Sequence, residues 1–253
     1  MKILNSLVLS FAMFSKIPMP HTDWSKENMR YIMAFFPVIG VVVGLFAMAF
    51  GTAANVFSFS PLLRGAGFFC IPILLTGGIH LDGFCDTVDA LSSHAPAEKK
   101  QEILKDPRLG AFAAIYLAVY AVAYTGFAAE AACTQRFLIA YLLLHVLTRS
   151  LSGLAIVFFP CARDSGLAHS FSDSAARKSN GIVLGCFTAL SAAALVFSGG
   201  LAGITAVLLT LVILWCYHRV AMQEFQGISG DLAGWFLQLA ELAGLAALAL
   251  LPR

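Results

Sequence analysis

Long apolar runs alternate with short polar segments along the whole sequence. A helix needs about 20 mainly apolar residues to cross a bilayer, and seven runs approach that length. The runs are residues 31–57, 62–79, 110–129, 137–159, 182–198, 201–217 and 232–251. Because only Gly199 and Gly200 separate the fifth run from the sixth, we predict that these two runs form a tight helical hairpin.

The first 20 residues contain a shorter apolar centre between Lys2 and Lys16. No small-residue cleavage site follows this centre, so we predict a retained interfacial or re-entrant helix. The sequence thus predicts an all-α fold, a polytopic integral membrane helical bundle of about seven transmembrane helices plus this N-terminal helix. Residues 1–253 are expected to form a single integral membrane enzyme domain.

Composition agrees with a membrane protein, since 59% of the residues are hydrophobic and 12% are charged. An ordinary soluble domain has about 25% charged residues. The net charge of +2 and the lack of a Lys/Arg-rich run argue against nucleic acid as a partner. The six cysteines include no CxxC pair, which excludes a disulfide framework or a zinc site as the organising feature.

The basic residues divide unevenly between the two sides of the predicted bundle. Twelve fall on one side and three on the other, and Arg149 lies inside a span. Because cytoplasmic loops carry an excess of Lys and Arg, the richer side is predicted to face the cytoplasm from the inner membrane. The richer side holds Lys2, Lys16, Lys26, Arg30, Lys99, Lys100, Lys105, Arg108, Arg163, Arg177, Lys178 and Arg219, and the other holds Arg64, Arg136 and Arg253.

The most informative stretch is residues 80–91, in which Asp82, Asp86 and Asp89 follow at spacings of four and three. On a helix these carboxylates fall within an arc of roughly 60°, because each residue turns about 100°. Like charges on one face repel, and Mg²⁺ or Mn²⁺ shared with a substrate phosphate would relieve that repulsion. A solvated acidic helix start is the alternative.

Two glycines, Gly77 and Gly78, precede this acidic face and let the chain leave the preceding apolar helix. They form either a plain loop or a binding loop that brings the backbone close to a ligand. His80 follows, and its ordinary pKa suits proton transfer near neutral pH. The sequence equally supports His80 as a general base and as an orienting hydrogen-bond donor.

A cationic loop with Lys105, Asp106 and Arg108 stands just before the third span. Arg binds phosphate bidentately and Lys neutralises it, so the loop suits a phosphoanhydride substrate. Arg163, in the loop after the fourth span, is a further candidate for phosphate. For each of these cations, a role in fixing the membrane orientation is the alternative.

Ser229 and Asp231 stand between glycines at the mouth of the last span. Either residue can cap that helix, and the same positions fit an anion loop or a further metal ligand. Within the fourth span, Arg149 needs a polar cavity or a carboxylate, and Glu241 of the last span is the expected partner. Spacing leaves open whether Arg149 forms a structural ion pair or contacts a substrate.

Taken in order, these motifs resemble the cobalamin synthase family, whose members are adenosylcobinamide-GDP ribazoletransferases. Cys85 and Ser229 depart from the usual residues of the family but remove no carboxylate. The likeness rests on residues 77–83 with Asp86 and Asp89, on residues 105–106 with 110–112, on residues 162–163 with 166–167, and on residues 229–231 with Gly234.

The resemblance implies transfer from adenosylcobinamide-GDP to α-ribazole or its 5′-phosphate, giving adenosylcobalamin or its 5′-phosphate and GMP, with Mg²⁺ as cofactor. It implies Mg²⁺ ligation by the three carboxylates of residues 80–91, completed by Asp231. Lys105 and Arg108 would stabilise the departing GMP, with Asp106, Arg163 and Ser229 as further substrate-binding residues. The expected partners are both substrates and the lipid bilayer, and homo-oligomerisation stays open.

Two other functions stay open on the sequence alone. A membrane enzyme that transfers a phospho-alcohol from a CDP-activated lipid would use a similar acidic helix, but its Asp-Gly-x-x-Ala-Arg run is absent. An ion-coupled transporter would need ionisable groups near the middle of the bilayer. His145, Arg149 and Glu241 are the candidates for that role.

Overall fold

The computed structural model describes residues 2–252, which fold into helices joined by short loops. Between extended segments, the described chain makes one isolated bridge, from Cys161 to Ile228. The all-α prediction is therefore confirmed. The helices are α1 (Lys2–Phe14), α2 (Lys26–Met29), α3 (Ile32–Val56), α4 (Pro61–Thr76), α5 (Ile79–Ser92), α6 (Ala97–Ile103), α7 (Ala111–Glu130), α8 (Gln135–Phe158), α9 (Leu167–Ser174), α10 (Arg177–Phe225) and α11 (Gly230–Leu250).

Five of these helices, α3, α7, α8, α10 and α11, are long and apolar enough to cross a membrane. The bounds of α3, α7, α8 and α11 lie within two residues of the predicted spans, because length and hydropathy are local properties of the sequence. The α10 helix begins five residues before the fifth predicted span and ends eight residues after the sixth. The prediction of a polytopic membrane bundle is confirmed. At 13 residues, α1 is too short to span a bilayer, which needs about 20.

The hairpin predicted at Gly199 and Gly200 lies within α10. Gly200 has non-helical angles, φ 55° and ψ −131°. A Cβ on Gly203 would lie 2.1 Å from the carbonyl oxygen of Leu195, whereas eight residues of continuous helix span about 12 Å. The two arms therefore fold back on each other, and α10 accounts for two of the predicted spans.

The second predicted span ends earlier than expected, at Thr76. Gly77 and Gly78 both adopt left-handed angles, with φ of 69° and 79°, which L side chains disfavour and glycine tolerates. The chain turns by 97° between α4 and α5 as a result. The predicted break at these glycines is confirmed, and α5 begins as a separate helix beneath α4.

The centre of the bundle is formed by α8 and α11, in which 78% and 67% of the apolar window is buried. Only 22% of that window is buried in α7 and 28% in α10. Large exposed apolar residues such as Val122 and Phe197 lie on these outer helices, as expected for surfaces that face lipid.

The motif loops meet at one end of the bundle, which we call the motif end. Hydrogen bonds join the loop before α3 to the start of α10, and α6 to the end of α10. The loop after α8 pairs with the loop before α11. Distant stretches of sequence thus form one surface around α5. Arg253, which the charge count assigned to the opposite side, lies outside the described residues.

Candidate active site

The site is organised by a close crossing of α5 and α11. A Cβ added to Gly83 would lie 2.8 Å from both the Cα and the carbonyl oxygen of Asp231, and one on Gly234 would lie 2.7 Å from the carbonyl oxygen of His80. No real Cβ approaches backbone so closely, so glycine is required at both positions. The crossing places Asp231 directly beside the acidic face of α5.

The carboxylates of Asp82 and Asp86 on α5 and of Asp231 on α11 repel one another electrostatically at this crossing. Asp82 is exposed, while Asp86 and Asp231 are partly buried. Burial, together with the negative charges of Asp82 and Asp231, raises the pKa of Asp86 from 3.8 to about 7. The ionised form of Asp86 is therefore disfavoured, and a bound cation would stabilise it.

Asp89 has a different environment from the other carboxylates of α5. Its Oδ2 accepts a hydrogen bond from the backbone N–H of Gly110 at 2.6 Å, and its Oδ1 accepts one from Ala113 at 2.8 Å. These bonds cap the N-terminus of α7, whose first N–H groups have no partner within the helix. Asp89 thus fixes α7 against α5, and its role as a metal ligand stays a prediction.

Within the described residues, no three His, Cys, Asp or Glu side chains form a preassembled metal site. Mg²⁺ commonly binds through one or two carboxylates, with water and substrate phosphates supplying the remaining oxygens. Asp82, Asp86 and Asp231 provide oxygen donors with excess negative charge. This donor set fits a Mg²⁺ ion that arrives with a phosphate-bearing substrate.

A polar cavity of about 190 Å³ lies on one side of Asp231. Four of the predicted substrate-binding residues line it: Lys105, Arg163, Ser229 and Asp231. The Nε of Arg163 donates to the side-chain oxygen of Gln101 at 3.0 Å, and an Nη donates to the Gln101 main-chain oxygen. Gln101 therefore holds the guanidinium of Arg163 at the wall of the cavity.

The floor of the polar cavity is fixed by backbone pairing. Ala162 donates to the carbonyl of Ile228 at 2.9 Å, and Ile228 donates to the carbonyl of Pro160 at the same distance. Ser229 caps α11, because its Oγ accepts from the N–H of Leu232 at 3.2 Å. The capping alternative for Ser229 is thus observed, while Ser229 also lines the cavity.

Arg108 and Asp106 lie apart from the other predicted substrate-binding residues. The Nε and Nη2 of Arg108 donate to the two oxygens of Asp106 at 2.9 and 2.6 Å. This hydrogen-bonded pairing lowers the pKa of Asp106 to about 2. The pair lies at an open cleft with Asp89, and the Arg108 side chain is 86% exposed.

A second cavity, of about 270 Å³, lies on the other side of Asp231. Asp82 and His80 line it, together with apolar and aromatic side chains from α1, α3 and α9. His80 is only 6% exposed, and its Nε2 has no hydrogen-bond partner within residues 2–252. Asp231 thus lines both the polar cavity and the aromatic one.

Beneath the site, Arg149 and Glu241 form a buried ion pair with an N–O distance of 2.5 Å. Their side chains are 1% and 2% exposed, and His145 and Thr148 also contact the Glu241 carboxylate. The expected partner of Arg149 is therefore confirmed. Because these groups bond to one another, they resemble a structural cluster more than an ion pathway.

Sequence reasoning missed several residues at the site. Gln101 gives no sequence signal, because its partner Arg163 is 62 positions away. Lys16, read only as an orientation anchor, lies against Gly77, where an added Cβ would be 2.2 Å from its Cε. The aromatic lining residue Phe14 was hidden within an apolar run. For the helix crossing, the available sequence signal was the glycine at position 83, within the acidic helix and close to Gly77 and Gly78.

Comparison with known proteins gives a consistent result. Residues 6–249 match the family described as cobalamin-5-phosphate synthase. The chain is 39% identical to an adenosylcobinamide-GDP ribazoletransferase of Lachnoclostridium phytofermentans, over 97% of this chain and 94% of that protein. A protein of the same name from Clostridium botulinum is 30% identical, over 96% of each chain. No solved structure matches. The chain therefore belongs to the cobalamin-5-phosphate synthase family.

Proposed function

We propose that the protein transfers the phosphate-linked corrinoid of adenosylcobinamide-GDP to α-ribazole or α-ribazole 5′-phosphate. The products would be adenosylcobalamin or its 5′-phosphate and GMP, a late step in assembling the cobalamin nucleotide loop. The observation that carries the proposal is the position of Asp231, between a cavity with Lys105 and Arg163 and an aromatic cavity with Asp82. A diphosphate and an aromatic nucleoside need such sites side by side.

In the proposed reaction, a ribose hydroxyl oxygen attacks the phosphorus that bears the corrinoid. A new P–O bond forms, the phosphoanhydride P–O bond breaks, and its electron pair stays on the phosphate of GMP. The hydroxyl proton passes to a carboxylate that does not ligate metal, since burial lowers the pKa of His80 to about 3 and makes it a poor proton acceptor. Because phosphoryl transfer asks little covalent chemistry of an enzyme, the residues act mainly by positioning and by neutralising charge.

The polar cavity is proposed to receive the GMP portion of the donor. Lys105 and Arg163 line that cavity and would neutralise the charge that grows on the leaving phosphate. Gln101 holds Arg163 in place, so the guanidinium needs little reorganisation. Arg108 lies outside this cavity, so its predicted contact with the nucleotide would require its guanidinium to leave Asp106 and move toward the leaving phosphate.

Mg²⁺ is proposed as the cofactor, held by Asp82, Asp86 and Asp231 together with substrate oxygens. When bound, it would neutralise negative charge on the diphosphate. The raised pKa of Asp86 supports this assignment, because burial and the charges of Asp82 and Asp231 disfavour its ionised form unless a cation binds nearby. We assign Asp89 to hold α7 in place through its two backbone hydrogen bonds.

We further propose that the protein lies in the cell inner membrane with the motif end facing the cytoplasm. The predicted excess of basic residues on that side supports the orientation. Adenosylcobinamide-GDP is large and amphiphilic, which gives an enzyme that binds it a reason to lie in a membrane.

The test is an assay of GMP release by the purified protein in lipid nanodiscs. We expect release to require adenosylcobinamide-GDP, α-ribazole and Mg²⁺ together, and to stop when EDTA is added. Release that continues without α-ribazole would indicate a hydrolase and contradict the transfer reaction. Turnover of a CDP-activated lipid in place of the corrinoid would support the alternative phospho-alcohol transfer.

A further inference from the structure

The proposed function sets an aromatic nucleoside beside the diphosphate but does not say which of its groups the aromatic cavity beside Asp231 binds. Its walls come from α1, α3, α5, α8, α9 and α11, and they are apolar over most of their extent. The polar side chains among the lining residues are His80, Asp82, Ser152 and Asp231. The cavity therefore has an apolar interior with polar groups that include two carboxylates of the proposed reaction centre.

Three phenylalanines and His80 give the cavity an aromatic character. The ring centroids of Phe14 and Phe36 are 4.5 Å apart, and those of Phe14 and Phe171 are 5.9 Å apart. The His80 ring is stacked with Phe14 at 6.2 Å and an interplanar angle of 22°. Rings at these distances already pack against one another, and together they offer an aromatic wall on which a further flat ring can stack.

His80 also supplies an unsatisfied polar atom. Its Nε2 is buried and lacks a hydrogen-bond partner within the described chain, and buried polar groups are normally hydrogen-bonded. His80 also borders a cavity of about 10 Å³, which holds no more than about one water. Because Nε2 itself has almost no accessible surface, His80 lines the larger cavity through other atoms of its side chain.

We propose that this cavity binds the 5,6-dimethylbenzimidazole base of the acceptor, with the ribose directed toward Asp82 and Asp231. This inference rests on the proposed function and adds the acceptor subsite to it. The base has two fused rings, an apolar dimethyl edge and one free ring nitrogen in the nucleoside. The fused rings and the apolar edge match an aromatic wall that lies next to two carboxylates.

The volume and the apolar walls of the cavity argue against the corrin ring and the guanine of the donor as its ligands. A volume of about 270 Å³ lies near the lower end of the range of small-molecule sites, about 300–1,000 Å³. It suits a two-ring heterocycle and is too small for a corrin ring. The guanine of the donor carries several polar groups on its edge, which the apolar wall would leave unpaired. The cavity therefore selects benzimidazole over purine bases.

The test compares Phe171→Leu with Phe68→Leu, a matched loss of a buried ring outside the cavity. Phe171→Leu should raise the KM of α-ribazole roughly fivefold or more, since a changed apolar contact alters selection by about 10–200-fold. The KM of adenosylcobinamide-GDP should stay within about twofold. The variant should also gain relative activity with a bulkier naphthimidazole riboside, and Phe68→Leu should change neither preference.

A second measurement does not depend on turnover. By isothermal titration in nanodiscs, the wild-type protein should bind free 5,6-dimethylbenzimidazole but not adenine, and Phe171→Leu should bind benzimidazole more weakly. Equal binding by both proteins, or none by the wild type, would overturn the proposed subsite. So would a Phe171→Leu effect confined to the corrinoid KM. Absence of GMP release by the wild type would instead count against the proposed function, leaving the titration to decide the subsite.

Discussion

Gly83 and Gly234 determine how closely the acidic face of α5 can approach Asp231. Both lie where an added Cβ would come within 2.8 Å of backbone on the opposite helix. Backbone atoms cannot move aside as the end of a flexible side chain can, so only glycine fits at these two positions. The distance between the carboxylates of α5 and α11 therefore depends on the absence of two side chains.

We expect Gly83→Ala to lower the stability of the protein by about 1–3 kcal/mol, the usual cost of overpacking. It should also reduce GMP release, because α5 must move away from Asp231. The control is Gly185→Ala, since nothing lies within 4 Å of a Cβ at that helical position. Thermal unfolding in detergent would measure the stability of both variants, and equal stability of the two would contradict the close crossing.

Asp86 gives a pH dependence whose sign follows from its pKa. In the folded protein the pKa is raised from 3.8 to about 7. The stability that protonation of Asp86 provides is therefore present below about pH 4 and is lost as the pH rises through 7. Ionised Asp86 is also the form that would bind Mg²⁺, so the cation should reverse this loss.

We accordingly predict that Mg²⁺ raises the unfolding temperature more at pH 8 than at pH 6. In Asp86→Asn the difference between the two pH values should shrink, because that side chain no longer titrates. Unfolding followed by intrinsic fluorescence, with Mg²⁺ or EDTA, measures the effect. A Mg²⁺ shift that is equal at both pH values in the wild type would count against Asp86 as a ligand.

Much of the site could be anticipated from local spacing, and the rest depends on contacts between distant residues. The positions of Asp82 and Asp86 on one face follow from helical periodicity. The contact of Arg163 with Gln101 and the joining of Phe14 with Phe171 arise only when α1, α6 and α9 come together. Spacing along the chain carries no information about such pairs.

The helices themselves were predicted well because hydropathy and length decide them. The break between α4 and α5 was expected from Gly77 and Gly78, but the 97° turn was not, since it depends on both residues adopting left-handed angles. Likewise the hairpin in α10 was expected from its glycines. Its packing against the end of α8, with Phe159 next to His218, required the folded structure.

The ion pair between α8 and α11 leads to a prediction about helix association. Removing Arg149 as Arg149→Met should cost about 3–5 kcal/mol, because the Glu241 carboxylate would stay buried without its cation. The double variant Arg149→Met with Glu241→Leu should be more stable than either single variant. Unfolding temperatures in detergent provide the comparison, and additive losses in the double variant would refute coupling between the helices.

At the scale of the whole molecule, the proposed orientation in the membrane can be tested with inserted reporters. We predict that a reporter inserted at Ala95, in the exposed loop between α5 and α6, is active only in the cytoplasm. A reporter at Ser60, between α3 and α4, should be active only outside. An external reporter at Ala95 would overturn the orientation and the proposal that polar substrates enter from the cytoplasm.

In the proposed function, a carboxylate crossing, a polar cavity and an aromatic cavity form one site for phosphoryl transfer. The central claim is that the carboxylates of α5 perform this transfer. The most direct test is GMP release by Asp82→Asn under saturating Mg²⁺ and both substrates, with the exposed Asp23→Asn as control. We predict a loss of roughly 100-fold or more for Asp82→Asn and less than about twofold for the control. Full turnover by folded Asp82→Asn would contradict the claim.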